Sequence, residues 1–251
     1  MGGGRATSIE EGGTRVKPYY SEAGIEIYHG DCAEVTPALR RRFDLLCTDP
    51  PYWIKAPRKQ VARRAAPTLT GKGLKQGFRP PLKRYDAGSS WDDRPPPRPL
   101  LDALRAMCTH QCIFGGNFFE LPPASCWLVW DKENGESDFA DCEMAWTNYG
   151  TAARLKRYRW NGMLQADMSN REPRLHQTQK PLAVMSWAIS KCPERPTTVL
   201  DAFLGSGTTL RACKDLGIRA VGIEAEERYC EIAARRLGQG VLALGQEPVH
   251  G

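Results

Sequence analysis

Apolar residues fall in short runs broken by Gly-, Pro- and Asp-rich turns, and these runs alternate with stretches of helical spacing. Ile25-Glu-Ile27-Tyr-His29-Gly30-Asp31 alternates as a half-buried strand, and a helix from Ala33 to Arg41 follows it. Phe43-Asp44-Leu45-Leu46-Cys47-Thr48 is a continuous run, the pattern of a buried strand. A helix from Leu100 to Cys108 leads to a strand at Gln111–Gly115, with further strands at Cys126–Trp130 and Glu143–Trp146. Pro181 stands at the first position of a helix from Leu182 to Lys191. Then come a strand at Thr198–Leu200, a helix ending at Asp215, a strand at Ala220–Ile223, and a last helix from Glu226 to Leu237 with Gly238 beyond it. Strands alternating with helices predict an α/β domain over residues 16–240. Residues 1–15 and 241–251 are expected to be flexible ends.

Two turns in this pattern carry chemistry. The Phe43 strand ends in Asp49-Pro50-Pro51-Tyr52. Each proline fixes its own φ, and Asp49 and Pro50 both precede a proline, so the turn is stiff and extended. A carboxylate, backbone carbonyls without regular partners and an aromatic face are thereby held at the C-terminal end of a strand, where open α/β sheets bind ligands. The second turn is Asp201-Ala-Phe203-Leu-Gly205-Ser206-Gly207-Thr208, between a strand and a helix, with Glu224 ending the next strand. Gly205 and Gly207 permit close approach of a ligand, and Glu224 is placed to accept hydrogen bonds from a ribose diol. Leu210 replaces the third glycine of a dinucleotide fingerprint and no lysine follows the glycines, so a ligand with adenosine but no pyrophosphate fits: S-adenosyl-L-methionine. Asp31 is placed to cap a helix, the commoner use, or to meet a ligand.

Charge changes the picture next. The 251 residues carry a net charge of +6, but the stretch from Trp53 to Tyr85 has ten basic residues and no acidic one. Elsewhere 25 basic residues face 29 acidic ones, so the remainder is mildly acidic. A basic segment directly after a candidate catalytic turn points to a polyanion, with Lys55, Arg58, Lys59, Lys72, Lys75, Lys83 and Arg84 as phosphate contacts. Between residues 151 and 177, Arg157 and Arg159 alternate with Tyr158 and Trp160, an arrangement suited to backbone contact and base stacking. No apolar run reaches the ~18 residues of a membrane span. Nine scattered cysteines without a signal-peptide core are the usage of reduced thiols in a cytosolic protein. The spacing Cys108-Thr-His110-Gln-Cys112 matches no common zinc pattern, and no metal is expected.

Together, Asp49-Pro-Pro-Tyr52, Asp201-x-Phe203-x-Gly205-x-Gly207-Thr208, Glu224 and Thr178-Gln-Lys180-Pro181 resemble the amino-group DNA methyltransferases, which methylate adenine N6 or cytosine N4. Catalytic motif first and cofactor loop last is the circularly permuted order of that family's β group. His29-Gly-Asp31-Cys and Trp130-Asp-Lys132 look similar to its compact phage-type members, so the protein is expected in the cytoplasm at the nucleoid, phage or prophage encoded. The resemblance implies a seven-stranded, mostly parallel sheet of the class I S-adenosylmethionine-dependent type. It implies a basic DNA-binding insert at 53–99 and a short target-recognition segment at 151–177. Asp49, Pro50, Pro51 and Tyr52 would be catalytic. Asp31, Asp49, Lys180, Asp201, Phe203, Gly205, Ser206, Gly207, Thr208 and Glu224 would hold S-adenosyl-L-methionine, Asp31 near the adenine and Lys180 near the methionine end. The expected substrate is double-stranded DNA in a restriction-modification setting, and a homodimer is left open. The leading Asp of the tetrapeptide leans toward adenine. Alternatives are cytosine N4, an RNA or protein amide, and a non-catalytic DNA-binding module.

Overall fold

The computed structural model describes residues 16–52, 95–135, 140–161, 164–169, 171–173, 175 and 179–238. The basic insert lies outside these residues except for its end, as do Thr178 and the two chain ends.

The strand at the centre of the molecule is the continuous apolar run, β3 (Phe43–Thr48), four of whose side chains in a row are buried. Such a run suits a strand covered on both faces, and both are covered here. Leu45 and Cys47 point into one core with Ile25, Ile27, Val199, Met185 and Leu210, whereas Leu46 points into the other with Tyr28, Leu200, Val221 and Leu104. The first core is closed by α3 (Leu182–Ser190), α4 (Thr208–Asp215) and α5 (Glu227–Gly238), and the second by α1 (Cys32–Leu39) and α2 (Arg98–Ala106).

In order of sequence the strands are β1 (Tyr20–Glu22), β2 (Ile25–His29), β3, β4 (Cys108–Phe114), β5 (Trp127–Asp131), β6 (Cys142–Thr147), β7 (Arg154–Arg157), β8 (Trp160–Asn161), β9 (Leu164–Gln165), β10 (Thr198–Asp201) and β11 (Arg219–Glu224). Nine of them form one sheet in the order β1-β2-β11-β10-β3-β4-β6-β5-β7, and β8 pairs with β9 as a separate hairpin. The expected seven-stranded sheet is thus exceeded by two edge strands. Neither follows the apolar alternation that marks a strand: β1 is the short, exposed YSE and β7 the basic RLKR. The sheet is mixed, with β2, β11, β10, β3 and β4 parallel, and β6 antiparallel to both of its neighbours.

The third strand expected from the family order is β2, the fourth β3, the first β10 and the second β11, and the observed run β2-β11-β10-β3 places them accordingly. From β10 the chain runs by α4 to one neighbour, β11, while β3 on the other side leads by α2 to β4. The crevice between the C-terminal ends of β10 and β3 is therefore the topological switch point.

Some boundaries move. The helix expected at Leu100 begins at Arg98 behind Pro97, and Cys108 belongs to the following strand, buried in its core. Pro181 is not the first helical residue but the extended cap before it, with ψ of 142°. The N–H of Leu182 is instead satisfied from a distance by the carboxylate of Glu172, at 2.9 Å. Among the described residues no helix is long and apolar enough to cross a membrane.

Candidate active site

The two chemically marked turns meet at the switch point. Val199 and Leu200 of β10 pair with Leu45 and Leu46 of β3, which brings Asp201 beside the start of the Asp49 turn. The Thr48 hydroxyl donates to Asp201 Oδ1 at 2.7 Å, and the Phe203 N–H donates to the same oxygen at 3.2 Å. Asp201, expected as a cofactor contact, ties the Gly205 loop to the end of β3. Burial pushes its carboxyl up to about 6, against the pull of hydrogen bonds from Thr209 and Thr48.

That shift has a thermodynamic sign. A carboxyl whose folded-state pKa lies above its unfolded value favours the folded state while protonated, and this contribution is lost as pH rises from about 4 to about 6. The loss amounts to roughly 3 kcal/mol. Asp201→Asn keeps an acceptor for Thr48 and removes the titration. Urea melts at pH 4 and pH 7 are expected to differ less in the variant than in the wild type, by roughly 2–3 kcal/mol. An unchanged difference would place the titration elsewhere.

Beside this junction a cavity of about 240 Å³ opens, lined by the Gly205 loop, by the ends of β2 and β11, and by Asp49, Pro51, Gln179 and Lys180. Of the residues expected to hold the cofactor, Asp31, Asp49, Lys180, Asp201, Phe203, Gly205, Ser206, Thr208 and Glu224 all line it. Gly207 does not; it is the left-handed N-cap of α4, where a Cβ would come within 2.7 Å of the Ala233 Cβ. Its glycine is required by helix packing. Gly205 is also left-handed (φ 53°), but among the described residues a Cβ there would meet nothing within 4 Å, so the loop surface is open at this point. The Glu224 carboxylate accepts from Gly205 N–H and Glu226 N–H, both at 2.8 Å, and burial pushes its pKa up. It therefore shapes the loop, with lone pairs remaining for a diol. Asp31 is the α1 cap, its Oδ1 accepting from Ala33 N–H at 2.8 Å, and the residue also lines the cavity. Among the described residues five carboxylates, Asp31, Asp49, Asp201, Glu224 and Glu226, line this space against one lysine. Such a wall repels phosphate and suits a cationic ligand.

At the rim, the Asp49 side chain is engaged at both oxygens. Tyr52 Oη donates to Oδ1 at 2.7 Å, and Lys180 Nζ donates to Oδ2 at 2.5 Å and to Tyr52 Oη at 3.1 Å. Lys180 Nζ also lies 3.0 Å from Glu143 Oε2 on β6, whose other oxygen is 2.5 Å from Lys132 Nζ. The result is a chain of alternating charge, Lys132–Glu143–Lys180–Asp49. Burial pushes the Asp49 carboxyl above the usual carboxylate range; Lys180 draws it back and Glu143 pushes it further. Burial works against the Lys180 ammonium, but Asp49 and Glu143 outweigh it and hold Lys180 well above its ordinary value. Glu143, opposed by burial but flanked by Lys180 and Lys132, is held at about 2.

The Tyr52 ring stacks on Phe118 with centroids 5.1 Å apart and planes 13° off parallel, and meets Phe119 edge-on at 6.4 Å. Phe118 is half exposed, at 51%. Its backbone follows the turn after β4, where Gly115 takes a φ of 65° and a Cβ would fall 2.2 Å from the Tyr52 ring. Only glycine leaves Tyr52 its seat. Glu143, Lys132, Phe118 and Gly115 were not singled out from sequence for this site. Arg157 and Arg159 are exposed on and just after the edge strand β7, with half-buried Tyr158 between them. Lys55, Arg58, Lys59, Lys72, Lys75, Lys83 and Arg84 lie outside the described residues.

A model of the DNA methylase family, N6/N4 type, matches residues 121–235. The type II methyltransferase M.ScaI of Streptomyces caespitosus is 25% identical over 261 residues, spanning 88% of this chain and 84% of that protein. In sequence the chain is similar to the amino-group DNA methyltransferases. A more local match links the chain to M2.LlaDCHI of Lactococcus lactis subsp. cremoris, 37% identical over 81 residues, or 32% of this chain and 30% of that one. In fold it is like the cytosine-N4-specific PvuII DNA methyltransferase, with a TM-score of 0.50, 14% identity and 88% of each chain covered. The family match at 121–235 takes in the Gly205 loop, Lys180, Lys132 and Glu143, and the Asp49 turn lies before it.

Proposed function

We propose that this chain transfers the methyl group of S-adenosyl-L-methionine to N6 of an adenine flipped out of duplex DNA. The observation that carries the reading is the Asp49–Tyr52 pair at the rim of the carboxylate-lined cavity. Cofactor and target base can then approach each other from opposite sides of one turn. The cavity's residues fit the cofactor: acidic walls for its cationic groups, Glu224 for a ribose diol, Gly205 for close approach. When bound, S-adenosyl-L-methionine supplies an electrophilic methyl group on a sulfonium.

An exocyclic amine is a poor nucleophile because its lone pair is delocalised into the ring, and inside a duplex it is out of reach, so the base is flipped into a pocket. Tyr52 offers that ring an aromatic face, as it does to Phe118. The Asp49 carboxylate and the Pro50 carbonyl accept the two amine hydrogens and favour a pyramidal nitrogen with a localised lone pair. As positive charge grows on that nitrogen, the fixed Asp49 carboxylate stabilises it. Asp49 must be ionised for this. Activity is therefore expected to fall as pH drops through its raised pKa, and to be retained above it.

Adenine is favoured over cytosine because the tetrapeptide begins with Asp. Nucleoside mass spectrometry on DNA treated with the purified protein decides between them. N6-methyladenine is the expected product, and N4-methylcytosine alone would reverse the choice of base while leaving the mechanism in place.

Duplex DNA is held through phosphates by Arg157 and Arg159 and by the basic insert at 53–99, with Lys72, Lys75, Lys83 and Arg84 foremost. Replacing Arg157 and Arg159 with alanine is expected to flatten the log–log salt dependence of DNA binding by about 0.9 for each phosphate no longer neutralised. A slope that does not move would make them solvated edge residues only.

A further inference from the structure

Protein groups engage both oxygens of the Asp49 carboxylate: Tyr52 Oη holds one and Lys180 Nζ the other. An ammonium on this carboxylate opposes the charge that the carboxylate is there to stabilise, because a base amine turning cationic would meet it at the same oxygens. Lys180 has a second place to go. Glu143 Oε2 is buried and has no aligned hydrogen-bond donor among the described residues, yet it lies 3.0 Å from Lys180 Nζ. Glu143 is itself fixed at its other oxygen by Lys132, whose ammonium sits 5.1 Å over the Trp130 ring.

We infer that Glu143 is a positioning residue for methyl transfer: it is the alternative anchor onto which Lys180 withdraws when the target amine takes its place on Asp49. This rests on the methyl-transfer reading above. Until the base arrives, Lys180 keeps the buried Asp49 ionised. With the base bound, a small shift of Nζ toward Glu143 Oε2 releases an Asp49 oxygen, while the four charges remain paired within one network. Lys132 sets how strongly Glu143 competes for Lys180. The groups facing Asp49 are Tyr52 in its own turn, Lys180 ahead of α3, Glu143 on β6 and Asp201 on β10.

The two ends of the network should act in opposite directions on the acid limb of the pH–rate profile. In Glu143→Gln, Lys180 leans wholly on Asp49 and the repulsion from Glu143 is gone, so the acid limb moves to lower pH. The same variant cannot release Lys180, so kcat at the plateau falls roughly tenfold or more. In Lys132→Met, Glu143 competes more strongly for Lys180, Asp49 is less supported, and the acid limb moves to higher pH.

The experiment is steady-state methylation of duplex DNA across pH by wild type and both variants, with calorimetric cofactor binding and thermal melts on the same samples. Opposite shifts of the limb, with cofactor affinity kept, are the expected result. A folded Glu143→Gln with unchanged kcat and pH profile overturns the inference. So does a lowered melting temperature in either variant without a shift of the limb, which marks a structural role. Should Glu143→Gln not fold, Lys132→Met decides by the direction of its limb. Absence of transfer by the wild type would instead remove the functional reading on which the inference stands.

Discussion

Asp49→Ala is expected to abolish methyl transfer to DNA while leaving cofactor affinity within about tenfold, ~1.4 kcal/mol. In the proposed mechanism the Asp49 carboxylate and the Pro50 carbonyl are the acceptors the amine needs, and Tyr52 and Lys180 hold that carboxylate in place. The other groups that line the cavity beside it, Gly205, Asp31 and Glu224 among them, do not depend on Asp49 for their hydrogen bonds, so the cofactor's seat survives the change. The variant leaves Lys180 paired with Glu143, which avoids an uncompensated buried charge. Turnover by this variant near the wild-type rate would exclude Asp49 from the chemistry.

Lys180→Met should have the second-largest effect, with a different signature. It leaves Asp49 and Glu143 as two carboxylates in one buried site, with Lys132 the remaining cation of the network. Like charges held close cannot both ionise readily, so the Asp49 pKa, already raised, rises further. Activity at neutral pH is expected to fall roughly 100-fold, ~2.7 kcal/mol, and to recover in part as pH increases. Stability moves the other way. With the folded-state pKa raised, the variant gains stability as pH falls and loses it as pH rises through that value, so its melting temperature should be higher at pH 5 than at pH 8. A uniform loss of activity at all pH values would instead assign Lys180 to substrate contact alone.

What was legible in the sequence was local. Asp49-Pro50-Pro51-Tyr52 and the Gly205 loop are continuous segments whose conformation follows from proline and glycine geometry, and both sit at strand ends as their patterns require. The order β2-β11-β10-β3 follows from the same motifs once the permuted order is applied. The residues not found from sequence become neighbours only through sheet register. Trp130 pairs with Glu143 across the β5–β6 hairpin, which sets Lys132 near Glu143, and β6 lies against β4 rather than beyond β5. No spacing along the chain signals that Glu143 will meet Lys180. Gly115 closes the strand expected at Gln111–Gly115 and Phe118 lies just beyond it, but their use depends on where Tyr52 comes to rest. The edge strand β7 escaped notice for a physical reason: its basic residues are the kind that protect an exposed edge, and they hide the apolar alternation by which strands are read.

The junction of the Asp49 turn and the Gly205 loop is proposed to be a methyl-transfer centre acting on DNA. Its most direct test is transfer of an isotope-labelled methyl group from S-adenosyl-L-methionine to duplex DNA, by wild type and by Asp49→Ala side by side. Label is expected in the DNA with the wild type and none above background with Asp49→Ala. Unlabelled DNA with a folded, cofactor-binding wild type, or equal labelling by both proteins, would contradict it.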